Sequence, residues 1–179
     1  GTAAAMTGGV QFRRESLTVE CALLGDTFRF SSSANPANDA DFRVPFLVEG
    51  WLYAPGTIPA SGFIPVADDA IGRWFCRGWQ VIDESRPEPH AVTTQLFVFG
   101  EIRAARLFPP DQISSEGIEG TFGDEVATRS ICGGAGRYLG ATGSIRQTPI
   151  GINSTVFADG TGDSAPNLRF DMDLIVVDD

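Results

Sequence analysis

Charged and aromatic side chains embedded in strand-like segments are the residues of this sequence best suited to chemistry. Glu49, Trp51 and Tyr53 stand at alternate positions, so they share one face of an extended segment. If that face points into an apolar cavity, a carboxyl group with a raised pKa, an indole and a phenol converge there. Arg77, in another apolar segment, would then hold a carbonyl or enolate oxygen. We predict Glu49, Tyr53 and Arg77 as catalytic residues, although a solvated outer face is the ordinary place for each.

Aromatic residues form the second candidate feature, because several of them lie in apolar segments that alternate like strands. As a set they favour an apolar pocket for a small polyketide-like or lipid-like substrate. The alternative is that they only fill the core, which is the usual role of aromatic side chains in strands. The predicted substrate-binding residues are Trp51, Trp74, Trp79, Phe97, Phe170 and Met172.

Several common chemistries are excluded or disfavoured by residue counts. All 13 basic residues are arginine, so an enzyme that needs a Schiff-base or P-loop lysine is excluded. The single histidine, His90, follows the turn-like ESRPEP and is interpreted as a surface imidazole, and zinc sites built from several histidines are excluded. Cys21, Cys76 and Cys132 are widely spaced and are expected to be inert, buried thiols. No cofactor and no metal are predicted.

Charge and length restrict the partners. The 179 residues carry 13 Arg and 23 Asp or Glu, a formal net charge of −10, which disfavours nucleic acid and anionic membranes as partners. The opening GTAAA, residues 1–5, is interpreted as a cloning remnant, and residues 6–179 as one domain. The longest terminal aliphatic run, LIVV at 174–177, is too short to span a bilayer. A cytoplasmic location is therefore expected.

Alternation of apolar and polar residues dominates the chain and predicts an all-β fold. Strands are predicted at 17–24, 28–30, 46–53, 73–82, 92–99, 113–122, 126–132, 143–148, 153–158 and 168–174. Only 101–107 could form one or two helical turns. Eight to ten strands with little helix indicate a sandwich or a closed barrel. The long gaps at 31–45 and 54–72 are either capping loops or surface excursions.

The glycine-rich segment GGAGRYLGATG, from Gly133 to Gly143, is the most specific motif. Its glycines allow close backbone approach, and Tyr138 would fill one barrel end. The segment resembles the allene oxide cyclase-like barrel family, which includes dirigent proteins, and with the following Arg146-Gln147 it is similar to bacterial spirotetronate-forming cyclases. The hairpin WLYAPG (51–56) adds a looser similarity. The resemblance implies a single antiparallel barrel of about eight strands with long capping loops.

The same resemblance implies a cofactor-independent cyclase or isomerase acting on a small hydrophobic, linear natural-product intermediate. Ring closure by intramolecular [4+2] cycloaddition would need only shape and exclusion of water, and segment 54–72 would close the barrel mouth. One alternative is acid–base cyclisation of an epoxide, with Glu20 or Glu49 as the acid. Another is a dirigent-like binder without catalytic activity. Homodimers or homotrimers are expected from the relatives of this barrel.

Overall fold

Eight antiparallel strands form a closed barrel in which each strand pairs with its neighbours in the sequence and β8 returns to β1. The computed structural model describes residues 9–30, 43–81, 90–100, 111–120 and 125–178. The strands are β1 (Gln11–Phe30), β2 (Arg43–Tyr53), β3 (Gly72–Val81), β4 (His90–Phe99), β5 (Asp111–Gly120), β6 (Ala127–Ala135), β7 (Thr142–Val156) and β8 (Ser164–Asp178). The predicted all-β barrel is confirmed.

The strands follow from the period-two pattern of the sequence. In β3, Trp74 and Cys76 are buried while Arg73 and Arg77 lie on the opposite face, as expected for successive side chains of a strand. Two pairs of predicted strands are single strands in the structure. Strand β1 contains residues 17–24 and 28–30, and strand β7 contains residues 143–148 and 153–156. The register of each strand against its neighbour shifts between the two predicted segments, but the pairing continues beyond the shift.

Closure of the barrel depends on β1, which pairs along one edge with β2 and along the other with β8. Residues Gln11 to Ala22 pair continuously with Asp178 to Asn167, so neither terminal strand has a free edge there. The interior is filled mostly by aliphatic and aromatic residues from all eight strands, among them Val19, Leu52, Trp74, Phe97, Ile113, Ile131, Ile145, Phe170 and Leu174.

Few of the described residues outside the strands are helical. The described residues include two short 3-10 helices, Ala67–Asp69 and Gly136–Tyr138. None of the helices in that part of the chain has the length and apolarity needed to cross a bilayer. The helical turns expected at 101–107 and most of the loop expected at 31–45 lie outside the described residues.

The glycine-rich segment has the close backbone approach that its sequence predicts. A Cβ at Gly143 would overlap the carbonyl oxygen of Asp173 on β8, and Gly143 has φ +140°. Tyr138 is buried at one end of the barrel, with its ring 5.4 Å from that of Phe99. The segment therefore closes the barrel end at which β6 passes into β7.

Gly143→Ala should lower the free energy of unfolding by about 3 kcal/mol, because the added methyl group meets backbone and the positive φ disfavours any side chain. Gly133→Ala is the matched control from the same segment. The nearest atom to its added Cβ is the Ser114 side-chain oxygen at 3.2 Å, which can move. Urea titration of both variants measures the difference, and equal losses would contradict the role assigned to Gly143.

Candidate functional site

The strand face that carries Glu49, Trp51 and Tyr53 points away from the barrel interior. Val48 and Leu52, which alternate with them on β2, are buried in the core, so the other set lies outside. The parity of the sequence correctly groups the three side chains. The three side chains do not converge on an interior cavity, because the inward positions of β2 are occupied by its aliphatic residues.

On the outer face, Glu49 forms an ion pair with Arg73 of the neighbouring strand β3. The guanidinium carbon of Arg73 lies 4.6 Å from the ring centre of Trp51 and 5.4 Å from that of Phe75. Burial by these neighbours lowers the pKa of Arg73. Glu49 and Trp51 are thus part of a charged and aromatic cluster on the outside of the barrel.

Tyr53 is buried beneath the segment 54–71, against Ala22 and Ile58 on the outside of β1 and β2. Its hydroxyl donates a hydrogen bond to the Val66 carbonyl and accepts one from the Val66 amide, both at 3.1 Å. Burial raises the pKa of Tyr53 to about 12. The phenol therefore holds the segment and stays protonated at neutral pH.

Glu20 fixes the same segment from β1. Its side-chain oxygens accept hydrogen bonds of 2.8 Å from the amides of Gly56 and Ile58, and the residue is 5% exposed. The hypothesis that residues 54–72 close the barrel mouth is wrong for this arrangement, because Glu20 and Tyr53 hold the segment against the outer wall.

The remaining predicted site residues divide between the two faces. Arg77 is exposed, and Trp79 is 51% exposed on the outer face of β3. The side chains that do enter the interior are Trp74, Phe97, Phe170 and Met172. The ring centres of Phe97 and Phe170 are 4.9 Å apart, and those of Trp74 and Phe170 are 6.1 Å apart. All four belong to the apolar core of the barrel, and we refer to them as its apolar floor.

Beside this floor, four neighbouring strands each contribute one inward polar side chain to a buried network. Gln95 of β4, Glu119 of β5, Arg129 of β6 and Gln147 of β7 contact one another. The Glu119 oxygen Oε2 accepts from Gln147 Nε2 at 2.5 Å and from Gln95 Nε2 at 3.3 Å. Arg129 Nη1 lies 3.7 Å from the same oxygen. One carboxylate oxygen therefore accepts two hydrogen bonds and also lies within ion-pair distance of a guanidinium group.

Arg129 is fully buried and is tied to the barrel wall by its other donors. Its Nε donates to Ser115 Oγ at 3.1 Å, Nη1 to Thr93 Oγ1 at 2.7 Å, and Nη2 to the Thr93 carbonyl at 2.9 Å. Burial lowers the pKa of Arg129, and the negative charge of Glu119 opposes this effect. The arginine thus provides a fixed positive charge beside the Glu119 carboxylate.

The second oxygen of Glu119, Oε1, is less occupied. Among the described residues it has one hydrogen-bond partner, the thiol of Cys76 at 3.7 Å, which is a weak donor. Burial, and secondarily the charge of Glu119, raises the pKa of Cys76 well above its ordinary value. The thiol is therefore protonated and a poor nucleophile, as the sequence predicts. Among the described residues, no stronger donor occupies Oε1.

Glu119 borders two spaces. The inner one is a cavity of about 30 Å³ lined by Glu119, Gly120, Cys76 and Trp74, with apolar residues opposite: Leu23, Phe28, Phe46, Val48, Phe157 and Leu168. The outer one is a cleft of about 390 Å³ lined by His90, Ile118, Glu119, Gly120, Glu125, Val126 and Ala127. Both spaces are lined by Glu119 and Gly120.

The cleft lies where β5 and β6 separate. Their paired residues extend only as far as Glu116 opposite Ser130, and beyond this point β5 continues against β4 while β6 continues against β7. Among the described residues, no β5–β6 pairing therefore covers the wall beside Glu119. The imidazole of His90, interpreted from sequence as an ordinary surface group, lines the cleft. The described residues contain no group of three or more His, Cys, Asp or Glu side chains that could hold a metal ion.

The sequence analysis missed Glu119 and did not select Arg129 as a site residue. The signal for Glu119 is its phase in β5, since it shares a face with Ile113 and Ser115, both fully buried. Arg129 likewise alternates with exposed Thr128 and Ser130. Cys132 corrects another expectation, because it is exposed whereas Cys21 and Cys76 are buried, and all three are free thiols.

Comparison with known proteins supports the architecture. No protein-family model matches the chain, and no curated protein matches its sequence. Among solved structures, the pterocarpan synthase dirigent protein GePTS1 aligns over 99% of both chains with a TM-score of 0.61 and 14% identity. Pyocyanin demethylase aligns over 89% of this chain and 99% of its own with a TM-score of 0.53 and 13% identity.

The Diels Alderase AbmU from Streptomyces koyangensis aligns over 98% of this chain and 72% of its own, at 14% identity and a TM-score of 0.49, a similarity too weak to support a conclusion. At such identities the matches with GePTS1 and pyocyanin demethylase show the fold alone. The resemblance of the sequence to dirigent-type barrels is thus confirmed for the architecture.

The buried thiols predict that the protein loses stability in alkali. Burial raises the pKa of Cys21 and Cys76 above their ordinary value of 9.0, so above pH 9 the unfolded chain releases protons that the folded chain keeps. The free energy of unfolding should therefore be constant near pH 7 and fall above pH 9, by up to about 1.4 kcal/mol per pH unit for each thiol.

Urea titrations between pH 7 and 10.5 measure this slope. Cys76→Ser should make it shallower by about half, because a serine hydroxyl does not titrate in this range. The matched control is Cys132→Ser at the exposed site, which should leave the slope unchanged. Stability that stays constant up to pH 10.5 would contradict burial of the thiols.

Proposed function

We propose that this barrel is a cofactor-independent cyclase or isomerase that acts on a small, mostly apolar molecule by proton transfer through Glu119. One observation carries the proposal: a buried carboxylate has one oxygen that accepts hydrogen bonds from Gln95 and Gln147 and pairs with the charge of Arg129, while its other oxygen borders a cavity lined mostly by apolar residues. A carboxyl group oriented in this way is suited to general acid–base catalysis.

The two spaces beside Glu119 indicate the kind of substrate. The inner cavity of about 30 Å³ admits only a small group of the substrate beside Glu119, so the rest of the molecule would lie in the outer cleft. The cleft of about 390 Å³ falls within the range of roughly 300–1,000 Å³ that is typical of ligand sites. Because the chain carries a net charge of −10 and Arg129 is already paired with Glu119, a neutral substrate fits better than an anionic one.

In the proposed reaction, Glu119 removes one proton from the substrate and returns it to the same molecule. Glu119 Oε1 takes a proton from a substrate hydroxyl or activated C–H group, and the electron pair released forms the new bond to an electrophilic carbon of the same molecule. Formation of this bond displaces an electron pair from the carbon onto a neighbouring atom of the substrate. That atom then receives the proton from Glu119. The product has the mass of the substrate, and Arg129 supplies the fixed charge that orients the carboxylate throughout.

The fold of two named neighbours is compatible with small-molecule chemistry. GePTS1 is called a pterocarpan synthase, and the demethylase is named for pyocyanin. A [4+2] cycloaddition at the same site would use the apolar residues around it but not the Glu119 proton. Assembly into homodimers or homotrimers and a cytoplasmic location stay predictions, which sedimentation and fractionation would test.

Metabolites of a strain lacking the gene, compared with its parent by accurate-mass chromatography, identify the candidate substrate. Purified protein is then incubated with the compound that accumulates. Conversion to a product of identical mass supports the proposal. Saturable binding without conversion would instead assign the protein to the class of non-catalytic binders.

Glu119→Gln should lower kcat about 100-fold or more, because the amide keeps the shape of the side chain but cannot accept the proton. Glu116→Gln is the matched control, since Glu116 lies on the same strand and is exposed. Turnover of the accumulated compound measures both. Full activity of Glu119→Gln with a flat pH profile would replace proton transfer with the pericyclic mechanism, whereas a loss confined to Glu49→Gln would favour the outer-face residues.

A further inference from the structure

Three exposed apolar side chains form a row across the outer face of β3, β4 and β5. Trp79 of β3 is paired with Val92 of β4, and Val92 is paired with Ile118 of β5. Their exposed fractions are 51%, 41% and 61%. Adjacent apolar side chains are costly to leave in water, so this apolar row indicates a surface that another molecule covers.

The next row of outward side chains on the same strands carries one charge of each sign. Arg77 of β3 is paired with Thr94 of β4, and Thr94 is paired with Glu116 of β5. Arg77 and Glu116 are both exposed, and neither forms an ion pair with another described residue. This charged row places a cation and an anion on opposite sides of β4, each about 5 Å from that strand.

The two rows are complementary to themselves under two-fold symmetry. A half-turn about an axis that runs along β4, just above the outer face, places β3 of one copy over β5 of the other. Each row keeps its position along the strands, so Trp79 meets Ile118 of the second copy and Val92 meets Val92. Arg77 meets Glu116 of the second copy in the same way, and every unlike contact occurs twice.

The charged row selects this orientation of the axis. A two-fold axis across the strands, between the two rows, would place Glu116 against Ile118 and leave the carboxylate without a positive partner. The axis along β4 instead joins apolar with apolar side chains and positive with negative ones. The net charge of −10 on each copy is balanced within these two rows, and salt screens exposed charges that lie more than about 8 Å apart.

From this complementarity we infer that the β3–β5 face is an interface between two copies of this chain, related by a two-fold axis along β4. Trp79 is its apolar anchor, and the reciprocal pairs of Arg77 with Glu116 fix the orientation. Tryptophan and arginine are among the residues most enriched at the energetic centres of protein–protein interfaces. The inference concerns the outside of the barrel and does not depend on the proposed function.

Sedimentation velocity of the full chain over a range of concentrations is the first test. The protein should form a dimer with a Kd of about 10 μM or tighter, as expected for a specific interface with an aromatic anchor. A protein that stays monomeric well above this concentration, or that forms trimers instead, would overturn the inference.

Charge reversal tests the pairing of Arg77 with Glu116. Arg77→Glu brings two carboxylates together at both ends of the interface, and Glu116→Arg brings two guanidinium groups together. Each variant alone should associate about 100-fold more weakly than the wild type. An equimolar mixture of the two should restore the dimer, because every contact of the mixed pair joins opposite charges. The matched control is Arg146→Glu, an exposed site on β7, which should dimerise like the wild type.

Wild-type affinity of the two single variants, or a mixture that stays monomeric, would overturn the inference. The double variant Arg77→Glu/Glu116→Arg exchanges the two charges within one chain and should dimerise as the wild type does. If a single variant does not fold, the double variant decides: a dimer supports the pairing, and a monomer contradicts it.

Trp79→Ser tests the apolar anchor. It should weaken association about 100-fold or more, because each copy loses its contact with Ile118 of the other. The matched control is Ile152→Ser, which removes an apolar side chain that is 58% exposed on β7 and should leave the Kd unchanged. An unchanged Kd for Trp79→Ser would count against the inference. None of these measurements uses a substrate, so this inference and the proposed function can fail separately.

Discussion

Closure of the barrel through the pairing of β1 with β8 is the constraint on which the other features depend. Twelve consecutive residues of β1, from Gln11 to Ala22, pair with β8, and the resulting ring of eight strands has one inside and one outside. Because side chains alternate along each strand, every residue is assigned to a face once its register is set. The interior is narrow, so a few side chains determine whether it is solid or hollow.

Most of that narrow interior is apolar, and its polar part persists because its members satisfy one another. Burial of Arg129 and Glu119 would be costly for each alone. Thr93 and Ser115 bind the guanidinium, and Gln95 and Gln147 bind the carboxylate. The consequence is a charge pair of defined orientation in a wall that faces aliphatic and aromatic side chains, with a cleft where β5 and β6 separate. Such a place combines apolar binding with proton transfer.

The outer face shows why an embedded carboxylate is not by itself a sign of catalysis. Glu20 is almost fully buried, yet both of its oxygens hold backbone amides of the segment 54–71. Glu49 lies across β2 and β3 in an ion pair with Arg73. Both carboxylates stabilise the wall from outside, where they cannot reach a ligand in the interior. Glu119 differs because one of its oxygens borders a cavity.

The sequence by itself determined the all-β class, the closed barrel suggested by its glycine-rich motif, and the grouping of residues by parity. It correctly placed Glu49, Trp51 and Tyr53 on one face, and Trp74, Phe97, Phe170 and Met172 among the apolar interior. Local alternation has the same period whichever face is buried, so it could not decide that the face of Glu49 is the outer one. Only the tertiary structure brought Glu119, Arg129, Gln95 and Gln147 together, because they lie on four different strands whose registers are set by barrel closure.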